Sequence, residues 1–97
     1  MKVEFVNREN GPERLVCEAE VHFEEPGLQG LKLTGFSIWR SPEGELFVTF
    51  PSRAFGAGQE RRYFDYIRPA DPTGGAAAAK ALKEAIVAAY HAAEVER

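Results

Sequence analysis

The sequence predicts an α+β protein in which an antiparallel five-stranded sheet is followed by a C-terminal helix. Three observations lead to this fold class. Residues 15–24 alternate between apolar and polar side chains, which is typical of a strand with one buried face. Gly- and Pro-containing turns separate several strand-like runs. In the last quarter of the chain, apolar residues recur at helical spacing.

The first two strands are predicted at residues 2–7 and 13–24. In the first, Val3 and Phe5 fall on one face, and a turn with Asn, Gly and Pro follows it. The second strand is the clearest in the sequence, since five alternate positions from Leu15 to Phe23 are apolar. Cys17 lies on this apolar face and is expected in the core, where free Cys is common.

The third and fourth strands are predicted at residues 31–40 and 45–50. A bend is expected in the third strand at Gly35. The residues between the two strands, 41–44, have Ser first, Pro second and Gly fourth, as in a type I turn. Residues 46–50 are apolar at both parities except at Thr49, which predicts a central strand covered on both faces.

A glycine-bearing loop is predicted at residues 52–60, and an aromatic-rich fifth strand at 61–68. A helix over 72–94 completes the fold, with Asp71 as its cap and Pro72 at its first position. Gly74 and Gly75 weaken that first turn, so the start could move to about residue 76. The glycines fit a flexible helix entry better than an anion site at the helix N-terminus.

The bulk composition restricts the function classes. The 97 residues suit one domain, and the single Cys requires no oxidising compartment. The formal net charge of −3 argues against coating nucleic acid by charge alone. The first ten residues do not resemble a signal peptide, and no apolar run is long enough to cross a membrane. We therefore expect a cytoplasmic protein.

Enzyme signatures are missing from the sequence. His22 and His91 have no metal-ligand spacing, and both are expected on polar, solvated faces. The lone cysteine and the serines lack the sequence context of a nucleophile. We therefore predict no catalytic residues, no metal and no cofactor.

The basic residues are more informative. Arg53, Arg61, Arg62 and Arg68 lie between the fourth strand and the helix, interleaved with aromatic residues. Guanidinium groups beside aromatic rings can hold phosphates and stack bases. In a strand, Arg62, Phe64, Tyr66 and Arg68 share one face. Either this face is a nucleic-acid surface, or its aromatic residues belong to the core. Lys80 and Lys83 add positive charge on the helix.

The block from Gly44 to Pro69 resembles the stage V sporulation protein G family, the bacterial septation regulators. The resemblance is carried by two groups of residues. The first comprises Phe47-Val48 and Pro51-Ser52-Arg53, and the second comprises Gly58, Phe64-Asp65 and Pro69. Ala85, Val87 and Tyr90 fit the end of the family's helix. The specific part covers about twenty residues.

The resemblance implies a non-enzymatic regulator of septation or sporulation that binds DNA or RNA and forms a homodimer through its sheet. Arg53 stands at the family's basic position after Pro-Ser, and Arg62 near the basic residue before the Asp. The chain departs from the family where its helix opens, because alanines replace charged residues there and leave only Lys80 and Lys83. A dimeric protein-interaction module with the same fold is the alternative, which the acidic balance favours.

Overall fold

The computed structural model describes residues 1–95 and has the predicted α+β class, with an antiparallel sheet and a C-terminal helix. Within these residues the elements are β1 (Lys2–Val6), β2 (Leu15–His22), β3 (Lys32–Arg40), β4 (Leu46–Thr49), β5 (Ser52–Phe55), β6 (Arg62–Asp65) and α1 (Gly75–Val95).

The strands form two separate sheets. β1, β2, β3 and β4 pair antiparallel in that order, whereas β5 and β6 form a two-stranded hairpin of their own. The prediction of a single five-stranded sheet is therefore wrong. So is the prediction of a central fourth strand, since β4 lies at the edge of its sheet.

Pro51 separates the two sheets. It is buried and lies two residues after Thr49, the last residue of β4. Because proline has no backbone N–H, it cannot continue the hydrogen-bonded ladder. The chain leaves the four-stranded sheet here and begins β5, within the segment predicted to be a loop.

The predicted bend at Gly35 lies beside this proline. Gly35 has a φ of +99°, and a Cβ atom at this position would lie 3.1 Å from the Pro51 Cβ. The register between β2 and β3 shifts here, because Ala19 pairs with Phe36 while Val21 pairs with Leu33. A glycine therefore allows both the bulge and the close approach of Pro51.

The core lies between one face of the four-stranded sheet and α1. Its buried members are Cys17, Ala19, Val21, Phe36, Ile38, Val48, Phe50 and Ile86. Ile86 brings the helix into this cluster, and the ring of Tyr90 meets that of Phe5 edge-on at 5.5 Å. The prediction that Cys17 is a core residue is confirmed.

The helix begins later than its cap signal indicated. Asp71 accepts hydrogen bonds from the backbone N–H groups of Thr73 and Gly74, at 2.9 and 2.6 Å, and from the Thr73 hydroxyl. These donors close a turn over residues 71–74, and α1 starts at Gly75. The Asp71 carboxylate thus satisfies two backbone N–H groups just before the helix.

Candidate nucleic-acid interface

The candidate site is carried by the β5–β6 hairpin. Its strands pair in a register that places Arg53 opposite Phe64 and Phe55 opposite Arg62. The connection between them includes a short 3₁₀ turn, Gly58–Glu60. Gly56 starts the connection with a φ of +85°, and a Cβ there would lie 2.6 Å from the Glu60 carbonyl oxygen. Glycine at this position lets the hairpin close.

The hairpin is anchored at its base. Phe50 and Pro51 are buried just before β5, and Ile67 packs against the core just after β6. The Tyr66 backbone N–H donates to the Pro51 carbonyl at 2.9 Å, which ties the two ends together. All eight residues of the two strands are exposed. The hairpin is therefore attached to the core without being part of it.

One face of this hairpin gathers arginine and aromatic side chains, and we call it the arginine–aromatic face. It comprises Arg53, Phe55, Arg62, Phe64, Tyr66 and Arg68. The Arg68 guanidinium carbon lies 4.1 Å from the Phe64 ring centroid, and the Phe55 and Phe64 centroids are 6.4 Å apart. Because Phe64 is 45% exposed and Tyr66 64% exposed, the interpretation of these residues as core is wrong.

The arginines of the hairpin region have no acidic partners. In the part of the chain that the structure describes, no ion pair involves Arg53, Arg61, Arg62 or Arg68. Basic residues elsewhere do pair, as in Lys2–Glu4, Arg8–Glu18, Lys32–Glu20 and Lys80–Glu84. Residues 52–68 hold four arginines against Glu60 and Asp65, although the whole chain has a net charge of −3. Positive charge is therefore concentrated on the hairpin.

The other predicted site residues lie apart from this face. Arg61 directly follows the 3₁₀ turn and has the opposite parity to Arg62. Lys80 pairs with Glu84 along the helix at 3.9 Å. The Lys83 ammonium lies 4.8 Å from the Phe50 ring centroid. The contacts made by these lysines are therefore not with the arginine–aromatic face.

Sequence reasoning missed one member of the face, Phe55. It had been assigned to a loop, but it lies in β5 and is 43% exposed. A signal for it exists in the sequence, because the pattern of Arg53 and Phe55 recurs in the same order as Arg62 and Phe64 after a glycine-bearing connection. That recurrence is typical of a β-hairpin with one shared face.

A second surface lies where β4 meets α1. It is an open cleft of about 550 Å³, lined by Leu46, Phe47, Val48, Lys83, Glu84, Val87, Ala88 and His91. Phe47 is exposed on this edge strand, whose outer backbone groups have no strand partner in the described chain. Unpaired edges of this kind can accept another strand.

A small polar cluster lies on the sheet face opposite the core. The possible ligand atoms of Glu4, Glu20 and His22 lie within 4.8 Å of one another. His22 is half-buried rather than solvated as expected, and its Nε2 lies 3.4 Å from a Glu4 oxygen. Lys2 and Lys32 pair with the two glutamates. The lysines give this cluster the composition of a cross-strand ion-pair network rather than of a metal centre.

Comparison of the chain with protein-family models, with curated proteins and with solved structures found no match. Within the described residues, no helix is both long and apolar enough to cross a membrane.

Proposed function

We propose that this chain is a non-enzymatic nucleic-acid-binding regulator of the septation and sporulation type. The observation that carries the proposal is the arginine–aromatic face. It combines exposed aromatic rings with arginines that form no ion pair within the described part of the chain, on a hairpin that contributes little to the core. Arginine forks match phosphate geometry, and aromatic rings accept stacked bases.

The resemblance to the septation regulators supports the same surface. Arg53 stands at the family's basic position after Pro-Ser, and Arg62 lies near the basic residue before the Asp. They lie on opposite strands of the hairpin and share one face. Two positive charges held across a two-stranded ribbon suit contact with successive phosphates of one backbone. In this proposal, binding regulates expression of cell-division or sporulation genes.

The proposal is tested by removing these two charges. In the Arg53→Gln plus Arg62→Gln variant, the affinity for a labelled oligonucleotide should fall. The slope of log affinity against log salt should also flatten by about 0.7–0.9 per lost phosphate contact. Fluorescence anisotropy at several salt concentrations measures both quantities.

A matched control removes the same charge from another surface. Lys2 and Arg14 are exposed and lie outside the hairpin, so a Lys2→Gln plus Arg14→Gln variant should retain the wild-type slope. If both double variants flattened the slope equally, binding would depend on net charge and the hairpin assignment would be wrong.

The proposed assembly is a homodimer formed through the free edge of β4. Phe47 is 47% exposed on this edge and lines the cleft against α1. Light scattering during size-exclusion chromatography should give twice the chain mass of 10.8 kDa. A Phe47→Glu variant should give the mass of one chain, and a wild-type monomer at all concentrations would contradict the dimer.

The second candidate is a protein-interaction module that uses the same fold without nucleic acid. The apolar cleft beside β4 is the observation that favours it. Oligonucleotide binding distinguishes the regulator from the protein-interaction module. Absence of oligonucleotide binding even at low salt would remove the regulator proposal and leave the cleft as the functional surface.

A further inference from the structure

The arginine–aromatic face contains a cleft whose walls are mostly rings. Its open volume is about 410 Å³, and Arg53, Phe55, Phe64 and Tyr66 line it. This volume lies in the range of small-molecule sites, which combine apolar walls with a few polar groups. Here the polar group is a guanidinium and the apolar walls are aromatic, a combination that suits a base attached to a phosphate.

The rings are available from solvent. Phe55 is 43% exposed, Phe64 45% and Tyr66 64%, and all three lie on one short hairpin face. Clustered exposed aromatic residues are unfavourable in water and mark interaction sites.

Ring geometry decides how a base can bind. The Phe55 and Phe64 rings are tilted by 54° to each other, so a flat base cannot lie parallel to both. Arg68 already covers one side of Phe64. Phe55 and Tyr66 are therefore the better platforms, each for one base. Stacking on separate rings requires neighbouring bases to separate from each other.

A duplex does not offer bases that are separated from their neighbours. Its base faces are covered by the neighbouring pairs, whereas single strands can turn their bases outward onto aromatic side chains. We infer that the arginine–aromatic face binds single-stranded nucleic acid, with bases on Phe55 and Tyr66 and phosphates on Arg53 and Arg62. This inference rests on the proposed function and adds the strandedness of the ligand to it.

The test compares four labelled twelve-nucleotide probes by anisotropy at one salt concentration: oligo-dT, oligo-rU, a DNA duplex, and an abasic strand of the same charge. A stacked base contributes about 1–3 kcal/mol. The base-containing single strands should therefore bind at least about fivefold more tightly than the abasic strand, and more tightly than the duplex. The dT and rU arms distinguish DNA from RNA as the source of the strand.

The outcomes separate this inference from the proposed function. Equal affinity for the abasic and base-containing strands, or preference for the duplex, would overturn the single-strand inference and leave nucleic-acid binding in place. No binding to any probe would overturn both.

Two tyrosines of the hairpin provide a matched pair of variants. Tyr66 lines the cleft, whereas Tyr63 lies on the opposite face toward Trp39, and their exposures are 64% and 67%. Tyr66→Leu should weaken binding of the dT probe at least about fivefold and leave the abasic probe unchanged. Tyr63→Leu should change neither. Equal losses in both variants, or a Tyr66→Leu loss that is the same for the abasic probe, would contradict stacking on this face.

Discussion

The two sheets of the molecule differ in the burial and the ion pairing of their side chains. In the four-stranded sheet, one face and α1 enclose a core in which Phe36, Ile38 and Ile86 are fully buried. On the opposite face, cross-strand ion pairs such as Lys32–Glu20 join neighbouring strands. In the hairpin, all strand residues are exposed, and the arginines have no acidic partner among residues 1–95. The first region holds the fold together, and the second presents groups that are left free for a ligand.

This difference explains why an acidic chain can still be proposed to bind nucleic acid. The acidic residues are concentrated in the first half of the chain, where several are already paired. Long-range repulsion from them is screened over about 10 Å at moderate salt. The field at the arginine–aromatic face depends mainly on its own arginines.

The largest expected effect compares one residue type in the two regions. Phe36 is fully buried and Phe55 is 43% exposed. Phe36→Ala should lower the free energy of unfolding by about 3–5 kcal/mol through a cavity, whereas Phe55→Ala should change it by about 0.5 kcal/mol or less. Urea unfolding measures both. A Phe55→Ala loss as large as that of Phe36→Ala would mean that the hairpin belongs to the core.

A smaller effect is expected at the join between the hairpin and the helix. A Cβ at Gly75 would lie 2.4 Å from the Pro69 Cβ, whereas one at Gly74 would lie 3.6 Å from an Asp71 oxygen. Gly75→Ala should therefore cost roughly 1–3 kcal/mol of stability, as overpacking does. Gly74→Ala should be close to neutral. If both variants unfolded at the wild-type urea concentration, the close packing of the helix start on Pro69 would be disproved.

The smallest effect concerns pH and the same turn. Hydrogen bonds from the Gly74 N–H and from Thr73 lower the pKa of Asp71. Because the folded-state pKa is lowered, the stabilisation is present above the unfolded value of about 3.9 and is lost as pH falls through the folded value. Asp71→Asn should therefore melt at a lower temperature than wild type at pH 6, and the difference should shrink as the pH falls below the unfolded value.

The control for this prediction is Asp65→Asn. Asp65 is exposed on β6, and no hydrogen bond to its side chain occurs among the described contacts. The melting temperature of the Asp65→Asn variant should equal that of the wild type at pH 6 and also at low pH. A constant difference for Asp71→Asn at all pH values would show that the carboxylate's charge is not involved.

The sequence predicted the elements whose faces differ in polarity. β2 alternates cleanly because one face meets the core, and α1 carries an apolar stripe for the same reason. β5 was missed because both of its faces are exposed, so no burial pattern marks Ser52–Phe55. The helix starts at Gly75, close to the later of the two starts that the sequence allowed, because the cap signal at Asp71 closes a local turn instead, a competition typical of Asp side chains.

The candidate site was predicted only in part, because strand parity describes one strand at a time. Strand parity placed Arg62, Phe64, Tyr66 and Arg68 on one face. The predicted strand at 61–68 is too long, because β6 ends at Asp65, but Arg68 still lies over the Phe64 ring. Parity within one strand could not show that Arg53 and Phe55 join that face, because this depends on the register of β5 with β6. Strand parity also could not show whether this face lies on the surface or in the core, because that depends on where the chain leaves the four-stranded sheet at Pro51.

The most direct test of the central claim is a ¹H–¹⁵N correlation spectrum of the labelled protein, titrated with a short single-stranded oligonucleotide. We predict that the shift changes cluster at residues 53–68, with the largest at the arginine–aromatic face, while resonances of β2 and α1 stay in place. Changes confined to the cleft between β4 and α1, or no changes at saturating oligonucleotide, would contradict the account.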